Sequence, residues 1–248
     1  FPLVNDVLLF YQKWQREKLF LKGLTMHPSI KKAKQEGRHL LEPEVLSILE
    51  DYGIHVPKHK FVTNEDDALK MAISLGLPVV MKIVSPDILH KTEAGGVILN
   101  LQTEKQVSEA FARLSLLEHT GTRITGFIIY PFQKHDVELS VGMVRDHQFG
   151  PVITFGLGGI WIEVIKDIAF GIAPLSHGEA ENMLDSIKAH SILKGIRNRK
   201  PADRKALYNL LVSLADMAMK ETSIQEIDLN PIFPLEKDYF IADGRIIL

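Results

Sequence analysis

Residues 77–97 read LPVVMKIVSPDILHKTEAGGV, and this stretch decides the fold. Pro78–Val84 is a short, β-branched, apolar run of the kind that forms a mostly buried strand. Lys82 interrupts it. An ammonium in such a run must reach solvent, pair with an acid or hold an anion, because burying it alone is costly. On an edge strand Lys82 would simply extend its stem and reach water. The following loop raises the other reading: it carries His90 and Lys91, and Gly95–Gly96 let the backbone approach a ligand closely. An imidazole at His90 beside a phosphate site is a candidate phosphoryl acceptor. An ordinary surface histidine is the bland alternative.

Outward from this stretch the chain alternates helix and strand signals. Pro43 suits a first helical turn, Val45, Leu46, Ile48 and Leu49 form an apolar face, and Gly53 suits a stop. Lys60–Thr63 reads as a short strand. Asn64 caps a helix with acids at 65–67 that ends at Gly76. Gly96–Leu101 is a strand, and Thr103 with Gln106 suggests a capping box for a helix to about Glu118. Thr125–Phe132, Val137–Asp146 and Gly150–Phe155 follow as strands. Gly178–Ala189 and Asp203–Lys220 read as helices, then Ile224–Phe233 and Tyr239–Ile247 as a strand pair. Strands interleaved with helices, some joined as hairpins, predict a mixed α/β or α+β architecture.

Composition removes several chemistries. In 248 residues there is no Cys, so disulfides, thiolate metal sites and cysteine nucleophiles are excluded. That suits a reducing, cytoplasmic setting. Lys+Arg of 29 against Asp+Glu of 31 leaves a formal charge of −2, so no global basic field points to nucleic acid. No apolar run approaches the roughly 18 residues of a membrane span. Covalent chemistry must therefore use histidine, carboxylates, lysine or arginine. The first 25 residues differ from the rest, with an apolar run at Val7–Tyr11 and then basic character. Met26 opens a segment that reads as an ordinary protein start, so residues 1–29 are expected to be an extension.

Three further groups are candidates. FGLGGI (Phe155–Ile160) follows a strand, so Gly158 and Gly159 form either a tight turn or an anion-binding nest; Glu163 and Lys166–Asp167 after it read as a solvated face. Glu138 alternates to the face opposite Val137 and Leu139, near a hinge at Tyr130–Pro131–Phe132. Asp228 and Asn230 are two apart on a strand and share a face. If the hairpin turns at Leu235–Asp238, partner indices sum to 473 and Asn230 lies opposite Asp243. Such hard oxygen ligands suit Mg²⁺ shared with phosphate oxygens, and a solvent-facing polar pair is the alternative.

Together, GRHLLEPEVLSILEDYGI, LPVVMKIVSPDILHKTEAGGV, VGMVRDHQFGPVITFGLGGIWIEVIKDIAF and EIDLNPIF with IADGRIIL resemble the β-type, ATP-grasp subunit of ADP-forming acyl-CoA synthetases, relatives of succinyl-CoA synthetase. The likeness runs from about Ile30 to Leu248. It implies an ATP-grasp fold, an α+β structure of two lobes clasping a nucleotide. Residues 58–130 would be inserted into a lobe built from 30–57 and 131–248. The resemblance makes Lys82 a contact to the phosphates of ADP or ATP, with Gly95, Gly96 and Lys91 in the adjoining loop. It places Tyr130, Pro131, Phe132 and Glu138 around the adenosine, with Gly158, Gly159 and Glu163 as further loop contacts. It gives Mg²⁺ to Asn230 and Asp243, with Asp228 nearby, and makes His90 a phosphohistidine that passes phosphoryl to the nucleotide.

The implied activity is that of an acid–thiol ligase, converting acyl-CoA, ADP and phosphate to free acid, CoA and ATP. It requires an α subunit carrying the CoA-binding domain and a first phosphohistidine, in an α2β2-type assembly. Two departures from the family pattern stand out. GIRNRK (Gly195–Lys200) replaces a Gly-Arg-Gly run, and Gly244 stands where an Ala is usual after Asp243. Neither removes a residue from the proposed chemistry. A free-standing ATP-grasp carboxylate–amine ligase and an inactive nucleotide-sensing module are the alternatives.

Overall fold

The computed structural model describes residues 26–88, 91–120, 123–159, 166–195 and 200–248. Helix α1 (Pro28–Glu36) and helix α2 (Glu42–Asp51) come first. Strand β1 (Lys60–Val62), helix α3 (Glu65–Leu75), strands β2 (Val79–Val84) and β3 (Val97–Leu101), helix α4 (Glu104–Ser115) and strand β4 (Gly126–Pro131) follow. Then come strands β5 (Leu139–Asp146), β6 (Gly150–Leu157) and β7 (Ile168–Ile172), and helices α5 (His177–Ser186), α6 (His190–Leu193) and α7 (Arg204–Lys220). The chain closes with strands β8 (Glu226–Pro234), β9 (Tyr239–Ile241) and β10 (Gly244–Ile247).

Local chemistry sets several boundaries. Asn64 Oδ1 accepts the Asp67 amide at 2.9 Å and Asp203 Oδ1 accepts that of Ala206 at 3.0 Å, each satisfying an amide that the first helical turn leaves unpaired. Thr103 Oγ1 accepts the Gln106 amide at 3.2 Å, as expected. The Gln106 side chain bonds the Gln102 amide instead of closing the box on Thr103. The helix expected over 178–189 instead ends at Ser186 and resumes as α6. Asp167 causes that break: its carboxylate takes the Lys188 and Ala189 amides at 2.6 and 2.7 Å. Asp167 is buried, which corrects its assignment to a solvated face.

Two antiparallel sheets organise the molecule. The first has the order β1-β4-β2-β3, the second β10-β8-β5-β6-β7 with β9 alongside β8. Alternation along β2 explains its unbroken apolar run. Val79, Met81 and Ile83 pack with Ala68, Ala72, Val107 and Leu114 beneath α3 and α4, while Val80 and Val84 join the main core. Lys82 lies between those two on the same face. Strand β2 is flanked on both sides, Lys82 pairing with Ile128 of β4 and Val97 of β3. The edge-strand reading of Lys82 is thereby excluded; only 5% of the residue is exposed. The main core lies between the inner face of the second sheet and the helices, with Leu207, Leu210, Leu211 and Leu214 of α7 fully buried. No helix among the described residues is long and apolar enough to cross a membrane.

Candidate functional site

The expected hairpin register holds. Ile232 pairs with Ile241, Phe233 with Phe240 and Pro234 with Tyr239, and beyond them Leu229 pairs with Gly244 and Asp228 with Arg245. Every pair sums to 473, which brings Asn230 opposite Asp243. Both residues line a cavity of about 320 Å³ whose walls also include Lys82, Tyr130, Pro131, Phe132 and Glu138. Two different sheets thus deliver seven residues singled out from the sequence to one space.

At its polar end is a cluster of four charges. Lys82 Nζ donates to Asp243 Oδ1 at 2.8 Å, to the Ala242 carbonyl at 2.6 Å and to Glu42 Oε1 at 3.3 Å. Lys91 Nζ bonds the other Glu42 oxygen and reaches Asp243 Oδ1 at 3.4 Å. Burial disfavours the Lys82 ammonium, but Glu42, Tyr130 and Asp243 outweigh it and hold its pKa well above the ordinary lysine value. Burial likewise works to raise the Asp243 carboxyl, and Lys82 with Lys91 holds it below the usual carboxylate range. Lys82 is thus held charged beside an accessible carboxylate, Asp243, that an incoming polyphosphate could replace. The Tyr130 hydroxyl donates to the Ala242 carbonyl at 2.8 Å, and its ring lies 5.1 Å beneath the Lys82 ammonium.

Glu42 is a member of this charge cluster that the sequence reading missed. Its carboxylate is buried at the start of α2, whose first-turn amides favour negative charge. The only signal was the need of Lys82 for a counter-ion, and EPE offers two acids. Arg38 claims the other one, gripping both Glu44 oxygens at 2.7 Å.

His135 was also missed. Its Nε2 lies 2.9 Å from Glu138 Oε1, its ring stacks on Phe233 at 3.6 Å, and it lines the cavity. Gly158 and Gly159 close this side from behind. A Cβ on Gly158 would meet the Leu139 carbonyl at 2.8 Å and Asn230 Oδ1 at 3.1 Å, and one on Gly159, whose φ is +59°, would overlap the Glu138 carboxylate. The glycine pair therefore fits the backbone tightly against two candidate ligand-binding side chains. A second cavity of about 600 Å³ shares His135 and Phe233 but is not lined by the lysine–carboxylate cluster.

Other candidates sit elsewhere. Gly95 and Gly96 do not line the cavity. Gly95, at φ +71°, turns the chain, and a Cβ on Gly96 would overlap Ile83, so these glycines shape the flap that presents Thr92 and Val97. Asp228 shares the strand face expected for it but lies outside the cavity, because Arg245 directly opposite draws its carboxylate to 3.7 Å. His90 and Glu163 lie outside the described residues. No group of three His, Asp or Glu positioned for a metal exists among the described residues. Asn230 and Asp243 offer two side-chain oxygens and not a complete cage, a donor set that would fit Mg²⁺ sharing its remaining positions with phosphate oxygens and water.

Comparison with known proteins identifies the family. The model of the ATP-grasp domain matches residues 32–248. The β subunit of ADP-forming acetate–CoA ligase I from Pyrococcus furiosus is 44% identical over 222 residues, covering 88% of this chain and 96% of that one. The chain belongs to the ATP-grasp β subunits of the ADP-forming acetate–CoA ligases. Another member, ADP-forming acetate–CoA ligase I from Archaeoglobus fulgidus, is 40% identical over 88% of this chain, which spans only 32% of that protein. Among solved structures, acetyl-coenzyme A synthetase 1 from Ca. Korarchaeum cryptofilum, with coenzyme A and Mg-AMPPCP, is 36% identical. It superimposes with a TM-score of 0.79, covering 89% of this chain and 98% of that one. Its phosphohistidine segment points towards the nucleotide-binding site. The ATP-grasp fold expected from the sequence is thus established.

Proposed function

We propose that this chain is the nucleotide half of an ADP-forming acyl-CoA synthetase, catalysing acyl-CoA + ADP + phosphate → free acid + CoA + ATP with an α subunit. The observation that carries the reading is the single cavity collecting Lys82, Tyr130–Phe132, Glu138, Asn230 and Asp243. In this reading residues 58–130 form one lobe and 30–57 with 131–248 the other. Adenosine lies against the hinge and Glu138. The phosphates take Lys82 from Asp243, the accessible acid, while the buried Glu42 stays behind as its counter-ion. Mg²⁺, held by Asn230 and Asp243, supplies neutralisation of phosphate charge when bound. An imidazole nitrogen of His90 attacks the phosphorus of the α subunit's phosphohistidine, whose P–N bond breaks as the new one forms, and the phosphoryl then passes to an oxygen of the ADP β-phosphate as the His90 P–N bond breaks. Such transfers depend mainly on positioning and charge stabilisation, which the lysine cluster provides.

The experiment combines the chain with its α subunit and measures ATP formed from ADP, phosphate and acetyl-CoA. His90→Ala abolishes ATP formation while Mg-ADP binding persists; full turnover by that variant removes the relay. Acid-labile phosphate trapped on this chain separates the reading from an inactive nucleotide sensor and from a carboxylate–amine ligase.

A further inference from the structure

Three contacts fix the His135 ring. It stacks on Phe233 at 3.6 Å and 5°, and Phe233 is itself nearly parallel to Phe240 at 5.9 Å. This aromatic column sets the plane of the imidazole and so the directions of its two nitrogens. Nδ1 lies 3.2 Å from the Gln133 carbonyl oxygen, and Nε2 lies 2.9 Å from Glu138 Oε1. Both neighbours are acceptors, and the carboxylate is the stronger of the two, which assigns a ring proton to Nε2. Glu138 is confined from its other side as well. Its Oε2 stands where a Cβ on Gly159 would be, and its backbone carbonyl accepts the Gly158 amide at 2.8 Å. The carboxylate therefore has one oxygen tied to the imidazole and the other set against backbone that carries no side chain.

Stability alone does not account for this arrangement. The His135 and Glu138 side chains are 29% and 32% exposed, and a pair so open to solvent contributes little to folding. Both side chains line the nucleotide cavity. We propose that His135 is a positioning residue for the nucleotide: its Nε2–H holds the Glu138 carboxylate in the orientation that meets adenosine. The proposal rests on the preceding reading, in which adenosine lies against Glu138. A carboxylate accepts about four hydrogen bonds, so the one given by His135 leaves Glu138 able to bind a ligand. The rotamer freedom of Glu138 is lost on folding and so does not oppose binding.

ATP formation by the full chain with its α subunit, measured against ADP concentration, tests this role. His135→Phe keeps a ring to stack on Phe233 and removes the donor. It raises KM for ADP about tenfold, as loss of a hydrogen bond to a charged group does, with little change in kcat. His135→Gln restores an N–H donor and recovers most of that loss. The double variant His135→Phe with Glu138→Ala has the KM of Glu138→Ala alone, because His135 acts only through that carboxylate. A wild-type KM in His135→Phe beside a raised KM in Glu138→Ala overturns the positioning role and leaves the adenosine site standing. A wild-type KM in both removes Glu138 from the adenosine site, and the proposal falls with it. A His135→Gln variant as impaired as His135→Phe assigns the effect to the ring and not to its donor, which also overturns the proposal. So do losses that add in the double variant, since they give His135 a nucleotide contact of its own.

Discussion

Replacing Glu42 by Gln tests the charge cluster most directly. Lys82, Lys91, Glu42 and Asp243 sum to zero formal charge, and the substitution leaves +1 in a largely buried site. At the 3.3 Å separation of Lys82 and Glu42, an effective dielectric near 20 gives an attraction of about 5 kcal/mol. The amide retains one acceptor for Lys82, and Asp243 still neutralises part of the charge. The net loss is therefore about 3 kcal/mol, at the low end for breaking a buried pair. For a chain of this size that lowers the melting temperature by roughly 6–12 °C. Saturating ADP should recover much of it, because the phosphates supply the charge that Glu42 no longer does. Differential scanning calorimetry with and without ADP reads both effects. A variant that melts with the wild type would falsify the view that Glu42 is the counter-ion. One that loses stability equally with and without ADP would show that phosphate does not replace it.

Asp243→Ala should weaken Mg²⁺-dependent ADP binding about tenfold or more, since it removes the sole carboxylate of the proposed metal pair; titration calorimetry showing unchanged affinity counts against that pair. Gly159→Ala should destabilise the chain by about 1–2 kcal/mol, from its φ of +59° and the clash with Glu138, and should also weaken nucleotide binding. Leu214→Ala, in the fully buried stripe of α7, should cost about 2–5 kcal/mol without changing ADP affinity once folded. Acid denaturation has a defined sign at Asp243: its carboxyl is lowered on folding, so its contribution is complete above the unfolded value of about 3.9 and is lost as pH falls through the lower folded value. Asp243→Asn should flatten that part of the stability profile below pH 4, and an unchanged acid slope contradicts the assignment.

What could be read from the sequence was what local chemistry determines. Asn64, Thr103 and Asp203 cap their helices through their own side chains. The hairpin register follows from where its turn lies, so Asn230 could be set opposite Asp243 before any coordinates. Helix α1 was not read, because only Ile30 and Ala33 of its nine residues are buried and its apolar period is weak. Strand β7 was not read either: it runs through Phe170, whose exposure breaks any inward apolar pattern. Asp167 looked solvated because its partners, the 188–189 amides, are remote in sequence. Glu42 was missed for the same reason, since Lys82 is brought to it by tertiary folding. The stacking of His135 on Phe233 is likewise a tertiary contact, whereas its partner Glu138 is only three residues away.

The formal charge of −2 hides how the site is prepared. A cavity holding two bare lysines would bind phosphate strongly, but like charges at that distance repel and the folded apo chain would pay for it. A cavity whose lysines were locked by ideal carboxylate forks would be stable and deaf to nucleotide. The observed cluster lies between these cases. Asp243 is 37% exposed in its side chain while Glu42 is 2% exposed, so one acid faces the cavity and the other supports from behind. In the proposed reading an arriving Mg²⁺–nucleotide would compete for Asp243, the accessible partner, and so free Lys82 for phosphate. Glu42 stays behind to keep the ammonium charged. This division of labour requires unequal burial of the two acids, and it explains why the functional constellation needs a residue from α2, far from the loop and strands that do the binding.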